Sequence, residues 1–336
     1  MRRLSIVVLL VALAIAGLDG TPASARRRPP PPTPTPVPAT PTPEPTPTPV
    51  PERLRVEQLP AQLEAIAAHA PGRLGITVYD LYRGETFSVH GDHAYPLASV
   101  YKLAIAVAAF DAADKHTLDL DQRVLLSAAD MRHGTSPIAA EHPRGNVTYT
   151  YWQLIRRMLV DSDNTASDYV LGAIGGPEAV QKVIDGLKIR GLKIRKTEAD
   201  LYADALAHRT FARGGDNPGT PDAVAALLTA IGTENALSLD STNELLVDLT
   251  SVRTSPERFR AGLPPTIRLA HETGTSETID GVADATNDAG IIMLPDGRYV
   301  IVVALLDASN ASADVRDALL ANVARTVYAA YASVAP

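Results

Sequence analysis

The sequence predicts an α+β fold: an antiparallel sheet from the N- and C-terminal segments flanked by helices, plus an all-helical lobe, with the site in the cleft between them. Three observations carry this. Strand-like runs stand at both ends of the foldable chain, Ile76–Val78 with Phe87–Val89, and Gly290–Leu294 with Tyr299–Leu306. The stretch between them, from about Ser99 to Thr233, reads as mainly helical. Short polar motifs fall where helices begin or strands start, the places where chemistry collects in such two-lobed arrangements.

Residues 1–25 read as a signal peptide: Arg2 and Arg3 lead, Leu4 to Leu18 form the apolar run, and Ala23-Ser24-Ala25 gives the small-residue cleavage pattern. The apolar run is shorter than the ~20 residues that span a bilayer, so a cleaved leader and a secreted, periplasmic or envelope-exterior location are expected. Residues 26–52 form a Pro/Thr-rich linker. From Pro29 to Pro51, 13 of 23 residues are proline, which excludes helix and sheet ladder and predicts an extended polyproline II spacer. Given the leader, a tether near the cell wall or envelope is preferred to a ligand for a partner domain. Residues 53–336 are expected to fold as one domain.

At the start of that domain, Val56, Leu59, Leu63, Ile66 and Ala67 follow helical spacing, with Pro60 predicting a helix that starts or kinks there. Tyr82-Arg83-Gly84 turns the first hairpin and Pro295-Asp296-Gly297 the last. Val315, Leu319, Val323, Val327 and Tyr331 predict a closing helix. The tandem Gly186-Leu187-Lys188-Ile189-Arg190 and Gly191 to Arg195 has too short a period for a solenoid and reads as coincidence.

The net charge is −7, and residues 1–51 hold five arginines against Asp19 and Glu44, so the remainder is more acidic still. An acidic domain without basic runs excludes a nucleic-acid partner. No cysteine is present, which excludes disulfides, thiolate metal sites, cysteine nucleophiles and a lipidated cysteine. His90-Gly91-Asp92-His93 is the only close histidine pair and matches no metal pattern; no metal or cofactor is expected, and the protein is expected to be a monomer.

Three motifs remain. Ser99-Val100-Tyr101-Lys102 precedes an all-apolar run, Leu103 to Phe110. That places Ser99 at the N-terminus of a buried helix, with Lys102 one turn on, where free N–H groups and the dipole favour negative charge. Desolvation would lower the lysine's proton affinity and let it take the serine proton; a plain serine cap with a stray lysine is the alternative. Ser162-Asp163-Asn164 follows the helical segment Trp152 to Val160, and by itself reads first as a helix cap. His271-Glu272-Thr273-Gly274-Thr275 precedes the final strands, and its small residues let a ligand approach the backbone closely.

In this order the three resemble the serine β-lactamases and penicillin-binding proteins, whose set is S-x-x-K, S-D-N and K-T-G. Asp163-Asn164-Thr165-Ala166-Ser167, Gly175-Gly176-Pro177, Thr197-Glu198-Ala199-Asp200-Leu201 and Thr286 to Arg298 resemble class A enzymes in particular. The resemblance covers about residues 53–333 and implies β-lactam hydrolysis through an acyl-enzyme. It implies Ser99 as nucleophile, Lys102 or Glu198 as proton acceptor, Ser162 as proton donor to the departing nitrogen, and Glu198 as activator of the deacylating water. It further implies a substrate site from Asn164, Glu272, Thr273, Gly274, Thr275 and Arg258, with Ser99 and Thr275 N–H groups as the oxyanion hole.

Two departures stand out. The family's K-T-G lysine is Glu272 here. At ~4 Å and an effective dielectric of ~20, each of the lost attraction and the added repulsion toward a substrate carboxylate reaches at most about 4 kcal/mol. Protonation or pairing of Glu272 would rescue this, and Arg258 is the expected partner. Tyr202, four residues after Glu198, stands where the family places a small polar residue beside the water; its phenol either displaces that water or replaces the contact. The alternatives to a weakened β-lactamase are a non-catalytic cell-wall peptide-binding relative and a serine peptidase or esterase with another substrate.

Overall fold

The computed structural model describes residues 52–208 and 217–332; the leader and the proline-rich segment up to residue 51 lie outside the described residues. Five strands, β1 (Arg73–Asp80), β2 (Glu85–Val89), β3 (Arg268–Thr275), β4 (Thr286–Met293) and β5 (Tyr299–Asp307), form one antiparallel sheet in the order β2-β1-β5-β4-β3. Both predicted hairpins are present.

The longer helices are α1 (Glu52–Ala68), α2 (Lys102–Asp114), α3 (Tyr151–Val160), α4 (Asn164–Ala173), α5 (Gly176–Gly186), α6 (Glu198–His208), α7 (Pro221–Gly232), α8 (Leu239–Leu249) and α9 (Ala313–Tyr331). α1 and α9 cover one sheet face, while α7 packs on the other, where the helical lobe continues the core. Strand β5 shows why its sequence is apolar without alternation. Ile301, Val303 and Leu305 enter the core on the lobe side, and Val300, Val302, Ala304 and Leu306 enter the core beneath α1 and α9. Successive side chains point to opposite faces, and here both faces are covered.

α1 begins at Glu52 and runs through Pro60, held by buried Val56, Leu59 and Leu63, so of the two alternatives for that proline the helix start is excluded. One local expectation is corrected. In α9 the expected four-residue stripe drifts: Val315 is 52% exposed, while Arg316, Leu320, Val323, Val327 and Tyr331 are buried. A spacing of four overshoots the 3.6-residue turn, so a strict repeat rotates off the buried face within a few turns. Arg55 of α1 donates to the carbonyls of Ala330 (3.4 Å) and Ala332 (2.6 Å), placing a cation at the C-terminal end of α9. The tandem pentapeptides occupy a helix end and the loop after it, with no shared structure.

α2 is buried continuously from Lys102 to Phe110. The segment before it is tied to the sheet by Asn287 of β4. The Asn287 side chain is fully buried; its Nδ2 donates to the carbonyls of Pro96 (2.8 Å) and Leu97 (3.0 Å), and its Oδ1 accepts from the Leu306 N–H (3.2 Å). Asn287→Ala should therefore lower unfolding free energy by about 2–4 kcal/mol, the scale of several buried backbone groups losing partners. Urea denaturation measures this, and a loss below about 1 kcal/mol would show that the tie is not structural.

Candidate active site

Ser99 lies in a 3₁₀ turn, Ala98–Tyr101, that runs directly into α2. With three residues per turn, positions i and i+3 eclipse, so Ser99 and Lys102 fall on one face. Ala98 enters the turn at φ +46°, in the left-handed region, a local strain that the surrounding ties must hold. Asn287 grips the preceding carbonyls, and Gly274 of β3 completes the clamp. A Cβ at Gly274 would stand 2.4 Å from the Leu97 carbonyl oxygen, so only glycine lets the strand edge approach this closely. Ser99 is half-buried and opens on a cavity of about 560 Å³ lined also by Asn164, Glu198, Tyr202 and Thr275.

Lys102 is fully buried beneath this cavity. Its Nζ donates to Ser162 O (2.7 Å), Ser162 Oγ (3.1 Å) and Asn164 Oδ1 (2.8 Å), and lies 3.4 Å from Glu198 Oε1. Asn164 Nδ2 donates to the His133 carbonyl (3.0 Å), which fixes the amide with its oxygen toward the lysine. The expected direct Ser99–Lys102 bond is not among the contacts of the described residues, because the amine's hydrogens are already directed at Ser162 and Asn164. Of these partners only the Ser162 hydroxyl can reverse its role. That hydroxyl can therefore accept from the amine or donate to it, as a proton relay between the two groups requires.

The Ser162-Asp163-Asn164 segment is both a cap and a site. Asp163 caps α4 through the Ala166 N–H (2.9 Å) and also accepts from the Ile138 N–H (2.7 Å). Ser162 sits at φ +54°, which turns its carbonyl and hydroxyl together onto Lys102. Glu198 opens α6. Thr197 and Asp200 bond reciprocally around that helix start, and the Glu198 and Ala199 N–H groups donate to Asp168 (2.7 and 3.1 Å). Asp168 is held in turn by Arg132 Nε (2.6 Å). Behind Glu198, the buried Tyr101 hydroxyl is pushed well above its ordinary pKa by burial and then by the negative charges of Glu198 and Asp168.

Residues with these positioning roles, Asp168, Arg132, Asn287 and His133, escaped the reading of the sequence. Asp168 had a signal, since it follows Asn164 by four residues and so shares its helix face. Asn287 had none, since it stands between Thr286 and Asp288 at the polar start of its strand.

The Glu272 expectation is corrected. Ser99, Asn164, Glu198 and Thr275 line the cavity, and Lys102 and Ser162 underlie it, but Glu272, Thr273, Gly274 and Arg258 do not line it. On β3, Glu272 shares the face of Gly274, toward the Ser99 turn and Lys102, whereas Thr273 and Thr275 take the other face. Thr273 Oγ1 meets Thr254 Oγ1 at 2.6 Å on that other face. Arg258 is there as well, donating to Asp317 (2.7 Å), Thr275 Oγ1 (2.8 Å) and the carbonyls of Gly274 and Asn287 (3.0 Å each). Arg258 therefore cannot pair with Glu272. The Glu272 carboxyl is fully buried, and among the described residues neither oxygen has a hydrogen-bond partner. Burial pushes its pKa well above the ordinary carboxyl range; the Lys102 ammonium opposes this and Asp288 adds to it. Tyr202 stacks on His133, with centroids 4.6 Å apart and planes at 15°, and the contacts of the described residues include no hydrogen bond from its hydroxyl to Glu198. His90 and His93 are engaged separately, His90 with the Leu74 carbonyl (2.9 Å) and His93 edge-on to Tyr95.

Comparison with known proteins agrees with this geometry. The family model described as "Beta-lactamase enzyme family" matches residues 58–331. The extended-spectrum β-lactamase PER-1 of Pseudomonas aeruginosa is 30% identical over 271 residues, 80% of this chain and 86% of that one. The crystal structure of a β-lactamase from Chitinophaga pinensis superposes with a TM-score of 0.76 at 31% identity, covering 81% of this chain and 98% of that one. A variant of the class A β-lactamase of the last common ancestor of Gram-negative bacteria gives 0.73 at 31% identity, over 81% and 98%. A serine and a buried lysine eclipsed on one turn, in a fold shared over nearly the whole of these structures, thus sit where sequence and architecture agree: the chain belongs to the class A β-lactamase family of hydrolases.

Proposed function

We propose that the protein opens the β-lactam ring through an acyl-enzyme on Ser99. The observation that carries this is the buried Lys102 amine, which gathers Ser162, Asn164 and Glu198 directly beneath a cavity that Ser99 faces. Ser99 Oγ attacks the lactam carbonyl and its proton passes to neutral Lys102, or to Glu198 through a water. N–H groups of Ser99 and Thr275 hold the developing oxyanion, at about 3–4 kcal/mol per donor. Ser162 hands a proton to the departing nitrogen and recovers one from Lys102. Asn164 holds the substrate's side-chain amide. Glu198 then activates water to cleave the ester and free Ser99. Export and a proline-rich tether near the envelope belong to the same proposal, as does a monomeric state.

Buried and neutral, Glu272 withholds the family's cation without adding a repelling charge. The expected handicap toward substrate carboxylates is then the lost attraction alone, at most about 4 kcal/mol or three orders of magnitude in rate. The missing cation is also the specific observation that favours the second reading, a serine hydrolase whose substrate lacks a carboxylate there.

Intact-mass measurement with a penicillin should show an adduct on the protein that is absent in Ser99→Ala. Glu198→Gln should accumulate the adduct, with turnover of a chromogenic cephalosporin falling by about 10²–10⁴-fold. No adduct and no turnover in the unsubstituted protein would reject the proposal. Glu272→Lys should raise hydrolysis of carboxylate-bearing β-lactams by at least about tenfold, and an unchanged rate would show that position 272 does not reach the substrate. Glu272 also sets a pH dependence. Its folded pKa lies above the unfolded value, so the folded chain holds the extra proton. Its contribution to stability is full below the ordinary carboxyl range and is lost as pH rises toward the raised value, with a slope of up to about 1.4 kcal/mol per pH unit. Denaturation of Glu272→Gln between pH 5 and 8 should lack that slope; identical pH profiles would contradict a neutral Glu272.

A further inference from the structure

We propose that the cleft selects substrates that carry a positive charge on the acyl side chain and discriminates against anionic ones, a specificity that rests on the hydrolase reading above. Among the described residues lining the cavity are three carboxylates, Glu198, Glu277 and Asp280, and no lysine or arginine. Among the described residues, two cations in contact with cavity-lining groups are not available to a ligand. Lys102 is fully buried and faces Glu198, and Arg258 is 3% exposed, paired with Asp317 and screened by the Thr275 hydroxyl. Glu272, placed where the family has a cation, supplies no positive charge. Glu198 lines the cavity nine-tenths buried, with its Oε1 turned inward 3.4 Å from the Lys102 amine, so the accessible rim acids carry the charge a ligand meets first.

The rim acids are held by a stiff support. Asp280 and Gly281 both have positive φ, +50° and +80°, the two-residue turn whose twist matches a tight antiparallel ribbon, and Thr278–Ile279 pairs with Val282–Ala283 across it. That ribbon is anchored by paired backbone bonds between Ala283 and Ser309 (2.8 and 3.0 Å) and by Ser276 with Ala285 (3.0 and 2.9 Å). Asp280 is engaged within the chain, so the test turns on Glu277, which is exposed on the cavity rim. The stacked Tyr202 also lines the cavity. Carboxylates together with an aromatic ring, and no lysine or arginine among the described lining residues, are the chemistry that receives an organic ammonium.

Three penicillins differing only at the α-carbon of a phenylacetyl side chain test this: unsubstituted, α-ammonium and α-carboxylate. The kcat/KM ratio of the ammonium to the carboxylate compound should be about tenfold or more at low salt and should shrink in about 0.5 M NaCl, where the Debye length falls to roughly 4 Å. Glu277→Lys should reduce or invert that ratio, and because the readout is a ratio, a general loss of activity cancels. Equilibrium binding of the same three compounds to Ser99→Ala, measured by calorimetry, gives the charge preference without turnover. If none is hydrolysed and none acylates Ser99, the hydrolase reading fails while the binding ratio still decides the charge preference. A carboxylate compound that is bound or hydrolysed as well as the ammonium one, or a ratio unmoved by Glu277→Lys, overturns the inference.

Discussion

One buried amine organises the site. Lys102 has no exposure to water, and removing an ammonium from water without partners would be far more expensive than the fold could bear. The lobe therefore has to deliver acceptors to it: the Ser162 carbonyl and hydroxyl by a left-handed residue, the Asn164 amide from the first turn of α4, and Glu198 from the first turn of α6. Each of these is fixed by something further out. Asp163 pins the start of α4, Asp168 pins the start of α6, and Arg132 pins Asp168. Satisfying one charge thus recruits the groups that the chemistry of Ser99 needs.

The sheet supplies the second constraint, which is position. The 3₁₀ turn that carries Ser99 contains a strained residue and does not hold itself. Asn287 takes its carbonyls from one side, and the absence of a side chain at Gly274 admits it from the other. Arg258 performs the matching task for the strand edge, binding the Gly274 carbonyl and the Thr275 hydroxyl while Asp317 balances its charge. Serine and strand edge are thereby referred to the same rigid sheet.

Much of this was legible in the residues. The apolar runs at both ends gave the sheet, the all-apolar Leu103 to Phe110 gave the buried helix, the motifs in order gave Ser99, Lys102, Ser162 and Asn164 as neighbours, and the family resemblance of Thr197–Leu201 added Glu198. What escaped depends on facing, which a linear pattern shows only within one element. Glu272 and Arg258 come from different segments, and that they meet opposite faces of β3 is a property of the folded sheet. The lysine's preference for Ser162 over Ser99 was equally hidden, because it follows from a backbone carbonyl turned by one positive φ. The stripe on α9 slipped for a simpler reason, a four-residue count laid over a 3.6-residue turn.

The Arg55 guanidinium on the last carbonyls of α9 has a topological consequence. It places the beginning and the end of the described fold within one side chain's reach, so whatever precedes Glu52 and whatever follows Ala332 depart from a common point. A polypeptide whose ends meet in this way can be joined there and reopened at a surface loop without changing which elements touch.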